Sequence, residues 1–552
     1  MGGRNRERVG LRGDRGRCGP SGPDPQHRSG SVGVRCLLIE RDPTTKPYPK
    51  MDRSNARTME LYRRIGIVDR VRALGFPPEM PMDVFCVTRL CDPPLAVLPF
   101  ASVAQYRERI AACTDGSQPL EPYQLVAQND LEPLLKEIAE ATPNVTVRFG
   151  CGLDSFSQDN SSVNVRMSMV DGTQQVATAG YLVGADGASS TVRKQLGIAL
   201  QGQGRVGEAT QVIFHSPDLF DKIPIGKGRH YNFADGRVRT LVAQGNRREF
   251  TLHSPLPPET DFAPIIGDVV GFPFQFEIRH VIPWRMHLLV AEHFRDQRVF
   301  LAGDAIHLVI PAGGLGMNSG VGDAFDLSWK LAGTLQGWGG AGLLDSYEAE
   351  RRPVALRNVE ASGWAAAGGM AWRELIRPEV THDSPEGQAL RAEIAESFVS
   401  NNGRMHGMIG VELGYTYAES ALVADEADNP ATWAISSYTP HTRPGVRLPH
   451  LWLADGRAVQ DLLGDDFNLL DLRAQGDTGE LEAAFAELGA PLRVIHLDDA
   501  HLRATYQRSL LLLRPDLHVA WRGDRAPEDP RTIAAMVTGH GTTPAPGPVR
   551  LR

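Results

Sequence analysis

The chain is 552 residues long, 42% hydrophobic and 22% charged, with a formal net charge of −8. That length exceeds one ordinary core and points to two or three domains; the acidic balance excludes a general nucleic-acid binder, and no apolar run is long enough to span a bilayer. The six cysteines, Cys18, Cys36, Cys86, Cys91, Cys113 and Cys151, form no C-x-x-C pair and have no histidine at zinc-ligand spacing, so buried, reduced thiols in a cytoplasmic protein without a metal site are expected.

Residues 1–32 are rich in Arg, Gly and Pro and carry neither helical nor strand periodicity, so as written they bury no core. No apolar stretch follows the charges as a secretory signal requires. From Val34 the pattern changes to a short apolar run, Val34 to Ile39, read as a buried strand closed by Glu40. Met59, Tyr62, Ile65 and Val68 then recur at helical spacing, predicting a helix from Ser54 to about Leu74 with its arginines on the outer face. A second amphipathic helix is expected over 131–141 and a strand over 145–149. Gln175 to Val183 reads as one strand leading into Gly184-Ala185-Asp186-Gly187. Residues 200–290 show strand-like runs such as Val238 to Val242. Helical stretches continue to about 410, a Pro-punctuated linker follows near 425–445, and 445–540 alternates short strands and helices. The tail after Gly541 is expected to be disordered.

The densest chemistry lies in the segment from Arg298. Leu301-Ala302-Gly303-Asp304-Ala305-Ile306-His307 places Gly303 and Asp304 at the carboxyl end of a buried strand, where ligands sit in open α/β folds. A carboxylate there accepts hydrogen bonds from sugar or ribityl hydroxyls. Pro311 opens a loop, Gly313-Gly314-Leu315-Gly316-Met317-Asn318, whose glycines let backbone amides approach a flat ring. A helix follows with Val321, Ala324, Leu327, Leu331 and Leu335 on one expected apolar face. Its positive end is aimed at the loop and suits a ring that gains negative charge on reduction.

GDAIH followed by PAGGLGMNSG resembles the second flavin motif of the class A FAD-dependent aromatic hydroxylases, the superfamily of p-hydroxybenzoate and phenol hydroxylases. That resemblance implies one FAD, NADPH or NADH as reductant, O2 as co-substrate, a flavin C4a-hydroperoxide and a small aromatic substrate. Pro311 and the loop residues Gly314, Leu315, Gly316, Met317 and Asn318 would then lie at the flavin, with Gly303 and Asp304 on its ribityl chain. Asp186-Gly187-Ala188-Ser189-Ser190-Thr191-Val192-Arg193 is similar to the family's DGxxSxVR motif, which implies cofactor contacts for Asp186, Gly187 and Arg193; physically, such a string can also fix a helix start. Glu40 stands where the acid for the adenosine ribose is expected. Gln128 matches a flavin-side position only roughly, with a solvated, helix-capping glutamine as the alternative. Arg53 belongs to a stretch, RSNARTME, similar to the family's segment after the second strand. Asp52 stands where the phenol hydroxylase branch has an acid beside the substrate hydroxyl, a base that would raise ring electron density; an exposed aspartate paired with Arg53 or Arg57 is the alternative. His230 and Tyr231 either line the pocket or pack in the core.

The expected architecture is α/β: a Rossmann-like FAD-binding domain (33–75, 121–199 and 291–375), an inserted β-rich substrate domain (76–120 and 200–290), a helical segment and linker (376–440) and a thioredoxin-like α/β domain (441–540), whose lack of C-x-x-C leaves packing or homodimerisation as its role. The expected activity is hydroxylation of a phenolic or related aromatic. Alternatives are action on polyketide-type rings, or an inactive flavin-fold remnant that serves interactions. The remnant arises as an alternative because the amino-terminal G-x-G-x-x-G, whose amides bind the FAD pyrophosphate, is absent: Arg17 to Gly22 reads R-C-G-P-S-G. With permitted codons, reading Leu11 to Ser29 one base later yields a strand, a G-A-G-P-V-G loop and an amphipathic helix, the first glycine falling about twenty positions before Glu40. Residues 1–32 are therefore expected to be translated out of frame.

Overall fold

The computed structural model describes residues 33–541 except 237, 246, 427–433 and 475. The expected out-of-frame segment, Cys18, the tail after Gly541 and part of the linker lie outside the described residues.

The chain starts with β1 (Cys36–Glu40), which pairs in parallel with β2 (Val145–Phe149). A second parallel pair joins β3 (Leu182–Gly184) to β4 (Val299–Leu301). Among the described residues no strand pairs with the other edge of β1 or of β3. The strand expected to be buried at β1 is therefore half open: Leu37 and Leu38 are each 40% exposed and Cys36 is exposed. Cys86 and Cys151 are buried as expected, while Cys91 and Cys113 are partly exposed.

A separate eight-stranded sheet is built on the long antiparallel strands Leu200–His215 and Glu277–Ala291. Residues 84–87 and 96–98 extend the same sheet. Phe214, Tyr231, Phe233 and Phe250 form its fully buried core, so Tyr231 takes the packing role. Gln174–Ala179 belongs to a separate three-stranded sheet, so the single strand expected over 175–183 is two strands split at Gly180-Tyr181.

The helix expected from Ser54 to Leu74 is also divided. Ser54 pairs as strand with Gln124; α1 (Ala56–Arg64) starts at the Asn55 cap and stops before Gly66, whose φ of 76° ends it, and a second helix spans Val68–Leu74. Arg57 and Arg64, expected on the outer face, are buried because they donate to the Asp516 and Pro515 carbonyls at 3.0 and 2.9 Å.

The flavin-type loop feeds α2 (Gly316–Gln336), which packs against α3 (Ala341–Arg373). The buried face of α2 is not the apolar stripe expected. Asp323, Asp326 and Lys330 are buried with Leu327, whereas Ala324 and Leu335 face outward.

The carboxyl-terminal sheet has the order β6 (Leu492–His496), β5 (Phe467–Asp471), β7 (Leu510–Leu513), β8 (Val519–Gly523). β5 and β6 are parallel and the other pairs antiparallel. With helices Gly479–Glu487, Ala500–Tyr506 and Pro530–Val537, this is the β-α-β, β-β-α plan of a thioredoxin-like domain. Trp329 of α2 and Trp338 just beyond it pack edge-on to Phe467, so this domain shares a core with the helix behind the loop.

Candidate active site

β4 ends at Leu301, and the chain turns through Gly303, whose φ of 61° few other residues adopt. The following carboxylate, Asp304, is exposed and engages no other described residue, so its oxygens are open to a hydroxyl-bearing ligand. Gly313 and Gly314 also hold positive φ, 86° and 63°, and the Gly314 amide donates to the Pro311 carbonyl at 2.9 Å. Leu315 and Asn318 are buried, Gly316 and Met317 half-buried. Asn318 is the clamp of this loop: its Nδ2 donates to Gly314 O at 2.6 Å and Arg53 O at 3.1 Å, and its Oδ1 accepts from Asn55 N at 2.9 Å. The side chain therefore ties the loop to the 53–55 segment, leaving backbone amides and the α2 amino terminus to face a ring.

Of the DGxxSxVR string, the helix-fixing role is visible. Asp186 accepts from Thr191 N at 2.6 Å and Val192 N at 3.1 Å, and Ser190 accepts from Arg193 N at 2.9 Å. Gly187 turns with φ 79°. Arg193 donates to the Ala305 carbonyl at 2.9 Å and the Ala188 carbonyl at 3.2 Å, locking this turn to the Gly303–Ala305 turn. Glu40 closes β1 and accepts from Asp42 N at 2.9 Å. Gln128 is the first residue of helix Gln128–Ala141, bonded to Glu132 and to Lys50 N; it sits inside the helix start rather than at the cap, which is Ala127.

Arg53 reaches the loop: a Cβ built on Gly314 would lie 3.9 Å from its Cδ. Its guanidinium pairs with Glu412 at 2.8 Å and lies over the Tyr123 ring. The neighbouring Asp52 pairs with neither Arg53 nor Arg57. Both its oxygens accept from Arg229, at 3.0 and 2.5 Å. Around this pair sit three histidines. His230 and His406 have ring centroids 5.3 Å apart, His406 meets Phe100 edge-on, and His253 meets Trp284. Burial holds His253 at about 4 and, with the Arg229 charge nearby, holds His230 and His406 well below the ordinary histidine range, so all three are neutral near pH 7. Arg229, Glu412, His253 and His406 were not found by motif, since each reaches the site from distant sequence and none stands in a recognisable string.

The described residues fit a flavin. The positive-φ glycines bring backbone against a flat ring, and Asp304 supplies an unengaged carboxylate beside it. Gly314, Leu315, Gly316 and Met317 would hold the ring system, with Asn318 as the clamp, and Gly303 and Asp304 would hold the ribityl chain.

Residues 30–362 match the family described as FAD binding domain, and residues 441–540 match the aromatic-ring hydroxylase C-terminal domain. The chain is 33% identical to FAD-dependent monooxygenase apdD of Emericella nidulans, over 94% of this chain and 89% of the relative. It is also 33% identical to aklavinone 12-hydroxylase RdmE of Streptomyces purpurascens, over 90% and 92%. In three dimensions it matches the rebeccamycin biosynthetic enzyme RebC with reduced flavin at a TM-score of 0.84 and 33% identity, covering 94% of this chain and 96% of that one. A ternary complex of aklavinone-11 hydroxylase with FAD and aklavinone matches at 0.74 and 30%, covering 92% and 95%. The loop after β4, the turns that lock it and these matches along nearly the whole chain lead to one conclusion: the chain belongs to the FAD-binding aromatic-ring hydroxylases and is a FAD-dependent monooxygenase.

Proposed function

We propose that the chain hydroxylates a phenolic ring of a fused, polyketide-type aromatic at the expense of NAD(P)H and O2, with water and NAD(P)+ as the other products. Bound FAD supplies the electrophilic oxygen. The observation that carries this reading is the placement of Asp52: a carboxylate oriented by Arg229, adjacent in sequence to Arg53, whose side chain lies beside Gly314 of the flavin loop.

Asp52 accepts the proton of the substrate hydroxyl, raising the electron density of the ring carbon under attack. Arg229 fixes the rotamer of that carboxylate and offsets the negative charge of the phenolate. The neutral His230, His253 and His406 add polar surface without adding charge, so the cationic character of the pocket rests on arginine. The Phe100 and Trp284 rings, packed against His406 and His253, offer flat apolar surface suited to a planar ligand. The fused-ring substrate is favoured over a simple phenol by relatives that span the full domain set of this chain, among them the aklavinone and tetracenomycin enzymes.

Purified protein is tested for flavin absorbance and for NADPH and NADH oxidation stimulated by resorcinol, by 1,8-dihydroxyanthraquinone and by unsubstituted anthraquinone. A product carrying one 18O atom from 18O2 on the dihydroxyanthraquinone supports the reading. Turnover of resorcinol alone moves the substrate to simple phenols. Flavin-free protein inert to all three favours the remnant.

A further inference from the structure

Asp323, in the second turn of α2, carries a carboxylate that is 1% exposed and accepts three hydrogen bonds, two from the turn after β4 and one from α3. The Gly303 amide donates to Oδ2 at 3.1 Å, His307 Nε2 lies 2.7 Å from the same oxygen, and Arg351 Nε of α3 donates to Oδ1 at 2.8 Å. Burial alone would favour the neutral acid, but the adjacent Arg351 and the hydrogen bond with His307 outweigh it and hold the group at about 2. The Gly303 amide and His307 bracket Asp304, so the buried carboxylate grips both ends of the turn that presents the exposed one. The approach is close: a Cβ on Gly320 would come within 3.3 Å of the Gly303 Cα, which leaves the turn no room to slide along α2. Arg351 is itself fixed, donating to Tyr417 Oη at 2.9 Å and to Ser319 O at 3.2 Å.

We propose that Asp323, oriented by Arg351, is the positioning residue that holds the Gly303–Asp304 turn in the conformation that presents the Asp304 carboxylate to the flavin ribityl chain. An ionised acceptor is required there, because donors face both oxygens, the Gly303 amide and His307 at Oδ2 and Arg351 at Oδ1; an amide in its place would direct its own N–H at a donor on one side.

The test is a double-mutant cycle between Asp323→Asn and Asp304→Ala on the full chain, read by titration of the apoprotein with FAD. Each single variant is expected to weaken FAD binding about tenfold, the scale of one charge-assisted hydrogen bond. The double variant is expected to be little worse than either, because Asp323 acts through Asp304. Multiplying effects overturn the proposal, as does unchanged affinity in D323N. A merely structural role would lower apoprotein stability without that coupling. Hydrogen exchange of the 302–308 backbone in the apoprotein gives a readout that needs no cofactor: it is expected to speed up about tenfold in D323N and in R351K, and unchanged protection in both overturns the proposal. This second reading separates failure of the positioning role from a failure of the parent chain to take up FAD.

Discussion

Arg514, just after β7 in the carboxyl-terminal domain, forks onto Glu350 in the third turn of α3, with Nη1–Oε1 and Nη2–Oε2 separations of 2.6 and 2.8 Å. Both side chains are fully buried. Glu350 is also gripped by Lys330 of α2 at 2.6 Å, and its chain neighbour Arg351 grips Asp323. The thioredoxin-like domain therefore supplies a charge that α2 and α3 need. Arg514→Met strands an uncompensated carboxylate and is expected to cost about 3–5 kcal/mol in urea unfolding. Adding Glu350→Met is expected to recover a large part of that loss, since two apolar groups replace a desolvated pair. A single variant as stable as the parent would deny the pair its role.

The same cluster predicts an alkaline weakness. Among the described residues, the buried Asp326, Glu350 and Asp516 make their direct ion pairs with two fixed cations, Lys330 and Arg514, while burial keeps His518 neutral at about 4. One proton balances the set, and burial with the Glu350 charge nearby pushes Asp326 up to about 8 despite Lys330. A carboxyl whose folded value is raised adds stability that is complete below its unfolded value and declines as pH rises toward 8. Urea midpoints are therefore expected to drop as pH rises from about 5 to 8 and to level off above it, and Asp326→Asn to flatten that drop. An equally steep decline in D326N would place the titrating group elsewhere.

Acid acts on a different contact between the same two domains. Glu60 of α1 is buried against Arg447, with Nε donating to Oε2 at 2.7 Å, and Leu120 N donates to its Oε1 at 2.8 Å. Burial opposes its ionisation, but Arg447 and Arg57 outweigh that and hold it at about 2. Its folded value lies below the unfolded one, so its contribution is present above about pH 4.5 and is lost as pH falls toward 2. Glu60→Gln is expected to lower stability at pH 7 while leaving a shallower fall between pH 5 and pH 3. A parallel shift of the whole curve would contradict that assignment.

What was legible in the sequence follows from local physics. Gly303, Gly313 and Gly314 could be placed because a positive φ demands glycine, and Asp304 because a strand end presents its next residue. The buried face of α2 was not legible. Asp323, Asp326 and Lys330 look like a solvated stripe until Arg351 and Arg514 arrive from elsewhere in the chain to neutralise them. The arginines of α1 misled for the same reason, their acceptors being carbonyls of the carboxyl-terminal domain. Asp52 was singled out, but its partner Arg229 lies on a separate strand entry that no spacing connects to it.

That partnership sets a kinetic prediction. Asp52→Asn keeps the shape of the side chain and one acceptor oxygen for Arg229 but turns an N–H toward the other guanidinium donor and removes the proton acceptor. kcat on a phenolic substrate is expected to fall about 10²-fold with little change in KM. Arg229→Met, which frees the carboxylate's rotamer and removes the charge facing a phenolate, is expected to raise KM as well. Equal losses in D52N on a hydroxyanthraquinone and on its already ionised form at high pH would remove Asp52 from proton transfer.

The amino-terminal region gives the prediction that bears most on the cofactor. β1 and β3 each have one parallel partner and one open edge among the described residues, and the apolar Leu37, Leu38 and Val183 are exposed there. Parallel strands are normally covered on both faces, and among the described residues no strand links the β1 pair to the β3 pair. The match to the FAD binding domain begins at residue 30. Residues 11–29 in the shifted reading frame would supply a strand followed by the glycine loop that cradles pyrophosphate. A protein expressed with that frame restored is expected to purify yellow, with close to one FAD per chain and a higher urea midpoint than the chain as written, which is expected to bind FAD at least about tenfold more weakly for want of those amides. Stop codons in the shifted frame, or equal FAD content in the two proteins, would end this explanation and require the pyrophosphate to be held by other residues.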